Sequence, residues 1–379
     1  MQIGIEILQF SILFSGMTVD KHLKQNIGVY TSLGHDLYVA SCEPNSESLQ
    51  PAPGEVIVHI KATGICGSDV HFYKHGQYGP KLVMTEDLIL GHESAGVVIK
   101  THPSVSELKP GDRVAIEPGI ACHKCDQCLA GRYNGCEDMK FNSCPGYHGL
   151  LRRYISHPAK LCHKIGEISY ENGALLEPVS VGIAGVNQAN IKLGDTVVVC
   201  GAGPVGLITA TLAKCSGAAI MVMTDIDAER LKFAKKFIPS IKTVLVERGD
   251  QPEDIANKVI KSLGGIKAKV CLECSGVESS VCAAIYSCEF GGLVQLIGAG
   301  RNFQTIPFMH LSVNEIQLNF QFRYVNTWPV GIRMLNAKMI DFTPLVTNKF
   351  PLERGDAAIQ FVSESHQGVI KVMIVDEED

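Results

Sequence analysis

The stretch Gly201-Ala202-Gly203-Pro204-Val205-Gly206 constrains this chain more than any other feature. It follows a run of mostly β-branched residues, Thr196-Val197-Val198-Val199-Cys200, and opens a segment with helical spacing, Pro204–Gly217. A G-x-G-x-x-G turn between a buried strand and a helix has the context that gives the pattern meaning. Gly201 permits the tight turn, Gly203 lets the backbone approach a pyrophosphate, and Gly206 allows close helix packing. A diphosphate then meets the unpaired N–H groups of the helix start. Downstream, IMVMTD, TVLV, KVCLEC and LVQLIG alternate with helix-like stretches such as AERLKFAKKF and PEDIANKVIKSL. Continuous apolar strands separated by helices predict a parallel sheet covered on both faces.

Asp225 ends the second strand, 19 residues after Gly206. A carboxylate there accepts from ribose hydroxyls and repels a 2′-phosphate, which predicts NAD over NADP. Arg230 is the complication, because an arginine nearby suits a 2′-phosphate.

The rest of the chain reads differently. Residues 55 to 114 are rich in β-branched residues and glycine, and predict short strands of a compact β domain with no helix of any length. After Gly300 the alternation decays into a mixed tail that is expected to return to that first domain. With 379 residues, two domains are expected. A 46% hydrophobic and 19% charged composition excludes a disordered chain. A net charge of -5 without a basic run excludes a nucleic-acid partner, and no apolar stretch is long enough to span a bilayer. The opening MQIGIEILQFSILFSG lacks the positive leader of a secretory signal; it reads as an extension, or as residues ahead of a start at Met17.

Four of the fourteen cysteines crowd together at Cys122, Cys125, Cys128 and Cys136. Thiolates at this spacing close a tetrahedron around Zn²⁺, which makes the site structural. The other reading, a nucleic-acid zinc knuckle, is disfavoured by Asp126, Glu137 and Asp138. The remaining thiols are scattered, several in apolar strands, and this usage indicates a reducing compartment, read as the cytoplasm. A second set is dispersed: Cys66 in GICGSDVH, His92-Glu93 in LGHESAG and Glu177 in LLEPVSV. Taken singly, Cys66 reads as a buried thiol and His92 as a core histidine, and spacing alone cannot pair them.

GICGSDVH, GHESAGVV, LKPGDRVAIEP, the four-cysteine lobe, GALLEPVSVG, GAGPVG and FRYVNTWP follow one another in order. Together they resemble the zinc-containing medium-chain dehydrogenase/reductase family, in its polyol dehydrogenase branch, from about Asn26 to Val375. GRYNGCE, LLRRY, ENGALLEP and NTWP most resemble the L-arabinitol enzymes of fungi, with sorbitol and xylitol enzymes next. The resemblance implies an α/β chain with a GroES-like β-rich catalytic domain and a Rossmann doubly wound parallel-sheet domain. Its boundaries would be 1–25 for an extension outside the fold, 26–180 for the catalytic domain (zinc lobe at about 117–140), 181–316 for the Rossmann domain and 317–379 for the return.

It further implies one catalytic zinc at Cys66, His92 and Glu93, with Glu177 reaching the metal directly or through its water, and one structural zinc. Asp69 would orient His92, unless it only stabilises its turn, and the proton would leave through Ser68 with His71 or else through Glu177 and the zinc-bound water. Phe72, Arg323 and Tyr324 would meet polyol hydroxyls, although Phe72 and Tyr324 read equally as core. Ile297, Gly298, Ala299 and Gln321-Phe322-Arg323 would meet the cofactor along with Val205, Asp225 and Arg230. The implied reaction is NAD-dependent oxidation of a secondary hydroxyl of a sugar alcohol by a homotetramer, with L-arabinitol to L-xylulose first, then sorbitol, xylitol or galactitol. Phe322, where L-arabinitol enzymes usually carry Tyr, leans toward hexitols. A zinc alcohol or threonine dehydrogenase is disfavoured by the Glu93/Glu177 pair. A non-catalytic relic of the fold would be expected to have lost Cys66 or His92.

Overall fold

A computed structural model describes residues 23–45 and 49–377; the opening apolar stretch lies outside them. The strand Thr196–Cys200 sits inside a six-stranded, wholly parallel sheet. Side chains on a strand alternate between faces, and the packing follows that rule. Val197 and Val199 join a core with Val179, Ile183, Leu207 and Ile208, whereas Val198 and Cys200 join another with Ile255, Val259, Val281 and Ile285. Helices thus seal both faces, as continuous apolar strands require.

The second sheet has seven strands, organised around the long strand Glu55–Gly64. Antiparallel neighbours lie on it: Glu93–Thr101, Tyr154–Pro158 and, from the far end of the chain, Lys371–Val375. The register sets Gly64 opposite both Glu93 and Met373. Segments more than 300 residues apart therefore meet at one strand end, immediately before Cys66.

Four expectations need correction. The span from 55 to 114 contains a nine-residue helix, Gly67–His75. Its few apolar positions hide the period, and the Asp69 side chain caps it by accepting from the Cys66 amide at 2.9 Å. The strand Gln317–Phe320 completes the parallel sheet beside Cys288–Leu296, so the expected boundary at 316/317 falls one strand too early. The boundary at 180/181 cuts the helix Leu176–Ala189, which packs on the helix after the glycine turn. Residues before 26 also belong in part to the fold, since Leu23 packs against Leu49, Ile57 and Tyr154 and the Gln25 carbonyl accepts from Arg153. Among the described residues no helix is long and apolar enough to cross a membrane.

Candidate active site

The dispersed residues converge. One ligand atom each from Cys66, His92 and Glu93 can be chosen within 4.8 Å of one another. Cys66 immediately precedes the helix Gly67–His75, and His92-Glu93 opens the neighbouring strand, so the strand register brings them together. A soft sulfur, an imidazole nitrogen and a carboxylate are donors of the types that zinc takes, and three of them would leave a fourth position open. Asp69, fully buried, ties the two loops: Oδ2 accepts from the Cys66 amide, while Oδ1 accepts from the Gly91 amide at 3.0 Å and the Ser143 hydroxyl at 2.8 Å. His92 Nδ1 lies 3.4 Å from Asp69 Oδ1. Burial alone would push Asp69 upward, but His92 and the two amides outweigh it and hold the carboxyl below the usual range. Fixing the ring through the nitrogen that faces away from the metal is how ligand histidines are oriented.

Sequence reasoning missed Lys371. This buried lysine places Nζ 2.8 Å from Oε1 and 2.5 Å from Oε2 of Glu93, and donates to the Ile65 carbonyl at 2.9 Å. Burial disfavours its charge, yet Glu93 outweighs that and raises its pKa. A Cβ at Gly64 would stand 2.2 Å from Glu93 Oε2 and 3.0 Å from Lys371 Cε, so only glycine leaves room for this pair. No motif marks the lysine; it opens an ordinary apolar strand, KVMIV. Its only signal is a charge at the edge of an otherwise buried run.

Glu177 lies outside the tight ligand set, in the first turn of Leu176–Ala189. Burial raises its pKa to about 7 against the pull of His92, with the Glu93 charge adding to the rise. The Tyr324 hydroxyl is buried without a well-aligned hydrogen-bond partner, close enough to Glu177 for that charge to raise its pKa further than burial alone. Arg323 stacks its guanidinium 3.6 Å above the Phe141 ring, with Cys144 Sγ 3.9 Å from Nη2. Its φ of 53° is left-handed, which costs a non-glycine residue energy and persists only where the surroundings enforce it.

They do. The Asn134 side chain donates to the Phe322 carbonyl at 2.8 Å, and the Tyr133 hydroxyl accepts from the Asn326 amide at 2.9 Å. Tyr133 in turn donates to Glu117, which also receives His163. Two neighbours from the four-cysteine lobe thereby bracket the turn that carries Arg323 and Tyr324.

Other expected residues fall less centrally. Phe72 is 2% exposed and packs in an apolar cluster with Ile65, Met84 and Leu88. Ser68 is half-buried, and His71 is exposed with Nδ1 engaged by the Gln77 carbonyl. Phe322 is 58% exposed.

The four cysteines of the lobe offer sulfurs that likewise lie within 4.8 Å of one another. The Cys122 amide donates to Cys136 Sγ and the Cys125 amide to Cys122 Sγ. Amides of Cys128 and Glu137 lower the Cys125 thiol to about 6. Backbone donors aimed at sulfur favour thiolates, the form that binds metal.

At the glycine turn, a cavity of about 410 Å³ is lined by Gly201, Gly203, Asp225, Arg230 and Ser275, among others. Gly206 is forced, because a Cβ there would stand 1.9 Å from the Gly201 carbonyl oxygen. Asp225 accepts from the Ala202 amide at 2.6 Å and the Asp227 amide at 2.8 Å, so it shapes the turn as well as facing the cavity. Arg230 donates through Nε to the Val369 carbonyl, with Nη1 3.9 Å from where a Gly203 Cβ would be. Ile297 and Gln321 flank Gly185 of the long helix, and the Ile297 and Gly298 amides donate to the Glu273 carbonyl.

Known proteins agree with this geometry. Residues 52–167 match the alcohol dehydrogenase GroES-like domain, and residues 204–337 match the zinc-binding dehydrogenase family. An L-arabinitol 4-dehydrogenase of Aureobasidium melanogenum is 52% identical over 93% of this chain and 97% of its own. The sorbitol dehydrogenase of Bos taurus is 42% identical over 86% of this chain and 90% of its own. A solved Escherichia coli oxidoreductase/dehydrogenase of unknown specificity superposes with a TM-score of 0.84 at 30% identity, covering 94% of this chain and all of its own. The chain is therefore a member of the zinc-containing medium-chain dehydrogenase/reductase family, in the branch that holds the L-arabinitol and sorbitol dehydrogenases.

Proposed function

We propose that the chain oxidises a secondary hydroxyl of a sugar alcohol to a ketose, using NAD, with L-arabinitol to L-xylulose the first candidate and sorbitol, xylitol or galactitol next. The observation that carries this reading is the meeting of Cys66, His92 and Glu93 beside a buried wall of Glu177, Arg323 and Tyr324. The buried Tyr324 hydroxyl, close to Glu177, and the guanidinium donors of Arg323 suit a ligand rich in hydroxyls.

Cys66, His92 and Glu93 would hold the catalytic zinc; when bound, it polarises the substrate oxygen, and the nicotinamide accepts hydride. Around that chemistry the chain's residues bind and orient. Asp69 fixes the His92 ring, and Lys371 balances the Glu93 charge while competing for its oxygens. Arg323 and Tyr324 position the remaining hydroxyls. Glu177, titrating near neutrality, is placed to take up a proton. Ser68 and the exposed His71, whose Nε2 is left over once Nδ1 is engaged, mark a route to solvent.

Cys122, Cys125, Cys128 and Cys136 would hold a second, structural zinc. Asp225 supports NAD over NADP. The exposed edge strand Gln317–Phe320, with Phe320 74% exposed, supports a homo-oligomer, a tetramer by resemblance. Scattered unpaired thiols support a cytoplasmic setting.

Initial rates of NADH formation with L-arabinitol, xylitol, D-sorbitol, galactitol and ethanol test the assignment. Activity confined to ethanol would overturn the polyol reading, and equal use of NADP would overturn the role of Asp225.

A further inference from the structure

Glu273 is fully buried at the C-terminal end of the strand Ala268–Glu273. The hydrogen bonds its carboxylate accepts all come from neutral donors: the Ser275 amide at 3.0 Å, the Gly276 amide at 2.8 Å, the Ser280 hydroxyl at 2.9 Å and the Ser275 hydroxyl. A carboxylate taken out of water persists only when its lone pairs are well met. Meeting them folds the 274–280 loop into one shape at the start of the helix Glu278–Ser287, where negative charge is also favourable.

The main chain of the same residue reaches two further segments. Its carbonyl accepts from the Ile297 and Gly298 amides at 2.8 and 2.9 Å, and its strand register sets it beside Cys200, just ahead of the glycine turn. Contact among these segments is tight. A Cβ on Gly276 would stand 2.2 Å from the Ala299 carbonyl oxygen, and one on Gly298 would stand 2.4 Å from the Gly276 nitrogen. Cys274, Ser275, Val277 and Ser280 line the cavity at the glycine turn, whereas Glu273 lies behind it.

We propose that Glu273 is a positioning residue for the dinucleotide: its buried carboxylate sets the 274–280 loop between the glycine turn and Ile297–Ala299, and so fixes the walls of the cofactor cleft. This rests on reading that cleft as a dinucleotide site. Glu273 stands behind the residues that line the cleft, so it acts on cofactor binding and not on the chemical step.

NADH fluorescence titration of the full chain and of Glu273→Gln tests it. Glutamine keeps the shape but turns an amino group toward donors, so the NADH Kd should rise roughly tenfold. At saturating cofactor, kcat and the polyol KM should move less than about threefold. Zinc content and cooperative thermal unfolding should persist, a combination that general loosening of the fold would not give. Glu273→Asp, which keeps the charge, should fall between wild type and Glu273→Gln. If Glu273→Gln does not fold, Ser280→Ala removes one donor and should raise the Kd about threefold. An unchanged Kd in a folded variant would overturn this inference alone; no NADH binding by the unaltered chain would overturn the cofactor reading as well.

Discussion

The two candidate zinc sites are built on opposite principles. In the lobe, four sulfurs arrive within fifteen residues, and amides of the same short segment point at them. In the dispersed set, the candidate ligands come from separate strands and loops, and register, a buried aspartate and a lysine from the far end of the chain hold them in place. A local site can hold its shape by itself; a dispersed one inherits its geometry from the sheet. Glu177, buried close to His92 and Glu93, goes with the dispersed set, whereas the turn that carries Arg323 and Tyr324 is also tied to the lobe through Asn134 and Tyr133.

The sharpest way to break the comparison is Cys66→Ala. Losing the metal's several kcal/mol of transition-state stabilisation should cut turnover on the order of ten-thousandfold. Metal analysis should show the lobe zinc retained, and loss of both ions would make the sites one unit. Next comes Lys371→Met, which leaves Glu93 buried beside no cation and should cost about 3 kcal/mol. Urea unfolding should show that cost in chelator-treated protein and a smaller one with zinc bound, since the metal replaces the missing charge.

Asp69→Asn should lower zinc affinity at the dispersed site by about 10- to 100-fold, leaving the lobe unaffected, as competition with a chromogenic chelator would reveal. The smallest effect is expected at Asp376, which closes the strand carrying Lys371 through Arg153 and His59. Burial pushes its carboxyl up, but His59 and Arg153 outweigh that and hold it below the ordinary value. Asp376→Asn should cost about 1 kcal/mol, because Arg153 keeps Glu353. Since the folded pKa lies below the unfolded one of about 3.9, the contribution is complete above about pH 5 and fades as pH falls through the folded value. The gap between wild type and variant should therefore be wider at pH 7 than at pH 3.

The same contrast explains what could be read from the sequence. The lobe and the glycine turn were legible because their chemistry is written in consecutive residues. Cys66, His92 and Glu93 became a set only through a resemblance, since nothing in their spacing states that Gly64 pairs with Glu93. Lys371 and Glu273 stayed silent because each ends or begins an apolar strand, where a charge usually faces water. The helix Gly67–His75 was hidden because capping rather than an apolar stripe holds it. The strand Gln317–Phe320 was hidden because its outer edge is unpaired and its residues are largely exposed.

The grip of Tyr133 and Asn134 on the ends of the Phe322–Asn326 turn gives the lobe a second task. An ion held by four thiolates would have no position left for a reactant, yet it would anchor the frame in which Arg323 is kept in its unfavourable backbone conformation. Slackening that anchor would free the Arg323–Tyr324 turn while leaving untouched the strand register that brings Cys66, His92 and Glu93 together.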